Sequence, residues 1–139
     1  MTYLGLDLGS KTLGVSVSDR TGIIATSLEV IRYNDQNELL DKLDKIVEER
    51  KVDAFVLGNP LNLNGTISTR TELSFEFKKT LESRYNKEVI MQDERLSTVE
   101  ANRMLISNDT KRKNRKKVVD KIAATIILQS YLDRRNNER

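Results

Sequence analysis

Three acidic positions stand out in the sequence because each one interrupts an otherwise regular pattern. Asp7 lies inside the apolar segment Tyr3–Leu8, although acids are depleted within strands. Asp93 and Glu94 end a second apolar segment, and Asp120 lies among the apolar positions of the last helical pattern. If the fold brings these carboxylates together, they could hold two divalent ions about 4 Å apart, the arrangement used to hydrolyse phosphodiester bonds. The pattern therefore suggests a metal-dependent nuclease.

The acids in the two apolar segments also have simpler interpretations. Alternate strand residues point to the same face, so Asp7 shares its face with Gly5 and Gly9, which leave room for a ligand or another backbone. Asp7 could instead simply cap the strand end. Asp93 and Glu94 point to opposite faces, so at most one of them shares the face of Asp7. Both could be ordinary solvated acids at a strand end.

Asp120 is predicted to lie in the first turn of the last helix. A carboxylate there could do no more than complement the helix dipole. However, helical spacing also places Asp120 on the same stripe as Ala123, Ala124 and Ile127. Small residues on that stripe would let the helix approach a sheet closely, with the carboxylate directed inward or at the sheet edge.

The composition narrows the chemistry further. The 139 residues fit a single domain spanning 1–139, and they include no cysteine and no histidine. This excludes Ser-His-Asp and Cys-His catalysis and any zinc site built on those ligands. A bound metal must then be held by oxygen, which favours Mg²⁺ or Mn²⁺. No apolar run is long enough for a membrane span, and the first residues lack the features of a signal peptide, so we expect a cytoplasmic protein.

A run of basic residues precedes Asp120. The chain has 24 basic and 21 acidic residues, a small excess, but six of the cations fall within a few positions. They are Lys111, Arg112, Lys113, Arg115, Lys116 and Lys117. Such runs are usually solvated, and residues 107–117 are predicted to be a mobile loop. Their position beside an acidic metal site would nevertheless suit a phosphate backbone.

The hydrophobic periodicity predicts the element order βββαβαβαα. Strands are predicted at residues 3–8, 14–18, 23–31, 53–57 and 88–93, and helices at 38–49, 72–85, 97–106 and 118–133. Three linked strands followed by alternating helices and strands imply an α/β fold with a mixed five-stranded sheet and helices on both faces. The loop at residues 58–66 follows a strand and is rich in amide side chains, so it could be either a ligand loop or a plain connection.

Four segments of the chain resemble the YqgF family, also called RuvX, whose members are described as Holliday junction resolvases and as pre-16S rRNA nucleases. The matching segments are residues 5–11, 57–66, 93–98 and 119–124, and together they span nearly the whole chain. The resemblance implies an RNase H-like fold and metal-dependent nuclease chemistry. The chain departs from the family pattern at Thr12, where a basic residue is usual, and at Asn59, where an apolar residue is usual.

The resemblance also implies roles for individual residues. The metal-binding and catalytic acids carried over by position are Asp7, Glu94 and Asp120, with Asp93 as the alternative to Glu94. The positions that imply phosphate or RNA contacts are Lys11, Asn64, Arg70 and Arg95. The implied substrate is precursor 16S rRNA, processed at its 5′ end during ribosome biogenesis, and the implied partner is the ribosome. Branched DNA, cut as a Holliday junction by a homodimer rather than a monomer, is the alternative.

Two other functions fit parts of the pattern. Asp-Leu-Gly followed by Lys or Thr also opens the phosphate loop of sugar kinases and actin-like ATPases, although those proteins need two such domains. A non-catalytic RNA-binding module for ribosome assembly could keep the fold without the chemistry. Because all three acids are present, the sequence favours the nuclease.

Overall fold

The computed structural model describes residues 1–60, 68–93 and 112–137, and for residues 112–121 it describes the backbone alone. The strands are β1 (Tyr3–Leu8), β2 (Thr12–Ser18), β3 (Ala25–Arg32), β4 (Ala54–Asn59) and β5 (Glu88–Asp93). The helices are α1 (Gln36–Arg50), α2 (Thr69–Tyr85) and α3 (Arg112–Asn137). None of the described helices is both long and apolar enough to cross a membrane. The helix predicted at residues 97–106 lies outside the described residues.

The five strands form one mixed sheet in the order β3-β2-β1-β4-β5. The first three strands pair antiparallel through tight connections, whereas β4 and β5 pair parallel to β1 and to each other. Parallel strands need a crossover connection: α1 connects the edge strand β3 to β4, and α2 connects the neighbours β4 and β5. The predicted α/β class and mixed five-stranded sheet are confirmed.

Strand alternation divides the core between the two faces of the sheet. On one face, Leu4 and Leu6 of β1 pack with buried leucines of α1 and with Phe77 and Leu81 of α2. On the other face, Tyr3 packs against apolar residues of α3, namely Ile127, Leu128 and Leu132. We call the two sides the α1/α2 face and the α3 face. Helices therefore cover both faces, as predicted.

Several element boundaries differ from the predicted ones for identifiable reasons. Helix α2 begins three residues early because Ser68 and Thr71 form a reciprocal capping box through two hydroxyl groups. Strand β4 continues past Gly58 to Asn59 because its pairing with β5 continues to that residue. Strand β3 begins at Ala25 because the preceding isoleucines, 54% and 59% exposed, lie in the turn, where the Asp19 carboxylate accepts both of their backbone N–H groups.

Helix α3 corrects two predictions about the basic run and Asp120. Residues 112–117 are helical and not a mobile loop, since α3 begins at Arg112. Lysine and arginine are good helix formers, so a dense run of them can open a helix as readily as fill a loop. Asp120 is consequently the ninth residue of α3 and not a first-turn residue. The helix-dipole interpretation of Asp120 is therefore wrong.

Candidate active site

Asp7 lies near the carboxyl end of β1, the central strand of the sheet. Its partner across the antiparallel pair is Gly14. The parallel register that joins Leu6 to Leu57 of β4 places Asp7 beside Gly58 when carried one residue further. Both lateral neighbours of Asp7 in the sheet are therefore glycines.

The neighbouring Gly5 is not open to a ligand, because α3 fills the space above it. A Cβ atom at Gly5 would lie 2.7 Å from Cβ of Leu128 and 2.9 Å from the carbonyl oxygen of Ala124. The hydroxyl of Ser16, which is the cross-strand partner of Gly5, donates a 2.7 Å hydrogen bond to that same carbonyl. The sequence left open whether Gly5 makes room for a ligand or for another backbone, and the structure shows that it makes room for the backbone of α3.

Helix α3 runs antiparallel to β1, and this direction determines what lies above Asp7. Tyr131 packs edge-on against Tyr3 at a ring-centroid distance of 5.5 Å, whereas Ala124 lies above Gly5. From Gly5 to Asp7 the strand advances roughly 6.6 Å, and from Ala124 back to Asp120 the helix advances roughly 6 Å in the same direction. From Ala124 back to Asp120 the helix backbone therefore runs toward the carboxyl end of β1, where Asp7 lies.

The predicted small-residue contact between α3 and the sheet is present. Ala123 and Ala124 are 4% and 0% exposed, and Ile127 is fully buried in the α3-face core. These three residues follow Asp120 by three, four and seven positions, which is one stripe of a helix. The stripe that carries Asp120 is thus the stripe that contacts the sheet.

The register of β5 separates the two candidate acids at its end. Val89 and Met91 pack in the α1/α2-face core, and Asp93 follows them in the two-residue period. Asp93 therefore lies on the face opposite Asp7. Ile90 packs on the α3 face, which Gln92 shares by the same alternation. Glu94 lies outside the described residues.

Two amide side chains lie near this edge: Asn59 belongs to the loop that could bind a ligand, whereas Gln92 was not predicted as functional. Gln92, paired with Gly58, lies on the face of Asp7, and its Oε1 atom is buried without a hydrogen-bond partner within the described part of the chain. Oδ1 of Asn59 is also buried without a hydrogen-bond partner within the described part of the chain, at a position where the family usually has an apolar residue. The only signal in the sequence was a polar residue inside an apolar strand. Gln92 lies across Gly58 from Asp7 on the same face, and an unsatisfied amide oxygen there is a potential ligand for a hard cation.

The predicted metal ligands cannot be assembled from the described residues alone. Residues 1–60, 68–93 and 112–137 contain no group of three acids that could hold an ion, with the side chains of 112–121 not considered. The oxygen atoms that are described, on Asp7 and Gln92, fit Mg²⁺ or Mn²⁺ by their chemistry.

Cationic side chains lie around the same edge of the sheet. Arg70, exposed in the first turn of α2, donates from Nη2 to the carbonyl oxygen of Leu8 at 3.1 Å. Lys11 is exposed in the turn that joins β1 to β2. The Tyr33 hydroxyl donates to the Gly9 carbonyl at 2.8 Å, and burial raises the pKa of that phenol. Tyr33 thereby holds the turn that presents Lys11.

The basic run extends beyond the sheet as the first turns of α3. With a rise of 1.5 Å per residue, the backbone from Lys117 to Arg112 lies roughly 4.5 to 12 Å past the level of Asp120, toward the carboxyl end of β1. The helix therefore carries its cations over the edge where Asp7 is found. Asn64, Arg95 and Lys111, which were also predicted as nucleic-acid contacts, lie outside the described residues.

Sequence comparison places these features among known proteins. A family model described as RuvX, Holliday junction resolvase, matches residues 1–134. A protein of Geobacillus sp. strain WCH70 is 52% identical over 135 residues, covering 96% of this chain and 98% of its own length. A protein of Bacillus subtilis strain 168 is 48% identical over 138 residues, covering 98% and 100%. Both carry the name "Putative pre-16S rRNA nuclease".

Solved structures support the fold. RuvC of Thermus thermophilus superposes with a TM-score of 0.57 at 13% identity, covering 99% of this chain and 97% of that one. The fowlpox virus Holliday junction resolvase gives 0.56 at 16% identity, covering 96% and 99%. At these identities the similarity concerns the fold alone, which is the RNase H-like α/β fold that the sequence predicted.

Proposed function

This chain belongs to the RuvX (YqgF) family, and we propose that it is a metal-dependent endonuclease that cuts precursor 16S rRNA at its 5′ end. Relatives that are about half identical over their whole length and bear a pre-16S rRNA nuclease name support RNA as the substrate. The structural observation that supports the proposal is the seating of α3 on Gly5 and Ser16, from which its backbone runs back toward the end of β1 that carries Asp7. Family membership also argues against the ATPase alternative.

The proposed catalytic and metal-binding residues are Asp7, Glu94 and Asp120. Strand alternation, continued one residue past the described end of β5, predicts that Glu94 shares the face of Asp7 and Gln92. Asp93 lies on the opposite face of the sheet from Asp7. Bound at these carboxylates, divalent ions supply water activation and stabilise negative charge on the phosphate. The protein's part is to hold the acids together despite their mutual repulsion, which ion binding relieves.

The identity of the ion follows from the ligands available. With no histidine and no cysteine in the chain, carboxylate and amide oxygens are the donors that remain. Such oxygen donors favour Mg²⁺ or Mn²⁺ over zinc or copper. Gln92 is the neutral oxygen nearest in register to Asp7 on this face, across Gly58, and it is available to complete the ligand set.

We assign substrate binding to the cations at this edge of the sheet. Arg70 and Lys11 lie at the end of β1, and residues 112–117 extend over it on α3. Asn64 and Arg95, at family motif positions, complete the proposed contacts. The chain has only four tyrosines, three phenylalanines and no tryptophan, so contacts to the phosphate backbone should outweigh base stacking.

The proposal is tested by assaying precursor 16S rRNA and a four-way DNA junction side by side, with Mg²⁺, Mn²⁺ or a chelator. We expect metal-dependent cleavage of the RNA, lost in Asp7→Asn, which keeps the shape of the side chain but removes its charge. Asp41→Asn is the matched control, because Asp41 lies on α1 with its side chain 77% exposed. Near wild-type turnover by Asp7→Asn would overturn the proposal.

The same assay separates the two alternatives. The family description and the resolvase structures favour junction cleavage as the second candidate, which requires a two-fold symmetric dimer to cut two strands. Symmetric cuts in the junction, together with dimers in solution, would support it. A ribosome-assembly module without catalysis would bind precursor rRNA, leave it uncut, and tolerate Asp7→Asn in cells.

A further inference from the structure

Gly5 and Ser16 lie against Ala124 of α3, which is one helical turn after Asp120. Both are on the α3 face, directly opposite each other in the β1–β2 pair. We propose that Gly5 and Ser16 are positioning residues, which set the height and the lengthwise register of α3 and thereby place Asp120 over Asp7. The proposal rests on the proposed function, because it assigns these residues a role in that metal site.

Gly5 determines the height of the helix. Its missing side chain lets the Ala124 carbonyl oxygen approach to 2.9 Å from where a Cβ atom would lie, and Cβ of Leu128 approach to 2.7 Å. The atom nearest to that Cβ position is the Ser16 hydroxyl, whose side chain can rotate. The Ala124 oxygen belongs to the helix backbone and Cβ of Leu128 is fixed directly to it, so these two cannot move unless the helix moves. Ordinary carbon contacts need about 3.5 to 4.0 Å, so a methyl group at this position would displace the helix by about 1 Å.

Ser16 determines where along the strand the helix rests. Its side chain is fully buried, and its hydroxyl donates to the Ala124 carbonyl at 2.7 Å. This bond joins the middle of the sheet to a point on α3 four residues after Asp120. A displacement at Ala124 is passed to Asp120 through a single turn of helix.

The far half of α3, beyond Ala124, is fastened independently and can act as the fixed end of a tilt. The Gln129 side chain accepts from the N–H of Ala25 and donates to the carbonyl of Ile23, both at 2.8 Å. Asn136 donates to the carbonyl of Gly22 at 3.1 Å. With that half held to the β2–β3 turn, a push at Gly5 would tilt the helix and lift the half that carries Asp120.

The test is a titration of Mn²⁺ binding by electron paramagnetic resonance, with folding monitored by circular dichroism. We expect Gly5→Ala to weaken Mn²⁺ binding ten- to a hundredfold, the usual effect of disturbing groups that orient metal ligands. Turnover should fall about a hundredfold, as for a 1 Å misplacement, with a smaller change in KM. Ser16→Ala removes the hydrogen bond without adding bulk and should weaken Mn²⁺ binding several-fold, in the lower part of the same range.

Leu132→Ala is the matched control, because Leu132 is fully buried under α3 but two turns beyond Ala124. It should lower the melting temperature and leave Mn²⁺ affinity unchanged. Equal losses of affinity in Leu132→Ala and Gly5→Ala would reduce the effect to general destabilisation and overturn the proposal. Wild-type Mn²⁺ affinity in a folded Gly5→Ala variant would also overturn the proposal. If Gly5→Ala does not fold, wild-type Mn²⁺ affinity in Ser16→Ala would overturn it instead.

Including Asp7→Asn in the same titration distinguishes a failure of the positioning proposal from a failure of the proposed function. If Asp7→Asn loses Mn²⁺ and the Gly5 and Ser16 variants do not, only the positioning role is wrong. If Asp7→Asn binds Mn²⁺ as the wild type does, the metal site is elsewhere and both proposals fail.

Discussion

The two acids at the end of β5 give opposite predictions when each carboxylate is made neutral. Asp93 lies two strands from Asp7, roughly 9.6 Å sideways, and on the other face of the sheet. A two-ion site at Asp7 needs carboxylates that reach it from the α3 face, and the sideways distance does not decide between Asp93 and Glu94, which are adjacent in the chain. The sheet itself stands between Asp93 and such a site, so Asp93→Asn should leave the metal site intact.

The expected magnitudes follow from these positions. Asp93→Asn changes a side chain at a strand end, where effects stay within about 1 kcal/mol, so turnover should remain within about fivefold of wild type. Glu94→Gln removes a charge from the proposed site and should cost on the order of a thousandfold, or about 4 kcal/mol in the barrier. Without metal, Glu94→Gln should melt at the same or a higher temperature, since it relieves repulsion among the acids.

The assay is single-turnover cleavage of precursor 16S rRNA in Mn²⁺, with melting temperatures measured in chelator. A thousandfold loss in Asp93→Asn with an active Glu94→Gln would refute the argument from strand faces. A lower metal-free melting temperature for Glu94→Gln would contradict the idea that the acids repel one another.

Three further predictions concern the cations and acid stability. Neutralising three lysines of the 111–117 run should reduce the slope of log affinity against log salt by about 0.7 to 0.9 per lost phosphate contact, as measured by fluorescence anisotropy. An unchanged slope would mean that the run is a solvated helix face. Arg70→Gln should raise KM about tenfold with little change in kcat or melting temperature, because we propose that its exposed guanidinium contacts the substrate. An equal fall in kcat would contradict this. The hydrogen bonds from Arg84 hold the pKa of the Asp44 carboxyl below its usual value. That stabilisation is complete above the unfolded pKa of about 4 and is lost as the pH falls through the folded pKa. Asp44→Asn should therefore lower the melting temperature at pH 7 more than at acid pH, and an equal deficit at both would disprove the linkage.

The sheet and its helices could be predicted from the sequence because hydrophobic periodicity is a local signal. Alternation in β1 and the helical spacing in α1 are legible within a few residues. The start of α2 was missed because the capping box of Ser68 and Thr71 uses two hydroxyl groups, whereas the usual pattern has a glutamate or glutamine at the second position. The start of α3 was missed because charge density was taken to indicate a loop, although lysine and arginine favour helices.

The site could be predicted only in part, because its geometry depends on contacts between distant segments. Asp7 and Asp120 could be selected from their positions in local patterns. However, the Ser16–Ala124 hydrogen bond joins residues 108 apart, and no local pattern indicates it. Likewise, the face of Asp93 became clear only when the cores on the two sides of the sheet were known. The position of glycines 14 and 58 on either side of Asp7 is known from the strand register and could not be predicted from their spacing along the chain.

The most direct test of the central claim is anomalous diffraction from crystals of this protein soaked in Mn²⁺, collected for the wild type and for Asp7→Asn. The account predicts anomalous peaks at the carboxyl end of β1, in contact with the carboxylates of Asp7 and Asp120 and with Glu94. Those peaks should be absent from Asp7→Asn crystals grown and soaked in the same way. Mn²⁺ bound elsewhere with no peak at Asp7, or peaks that persist in Asp7→Asn, would contradict it.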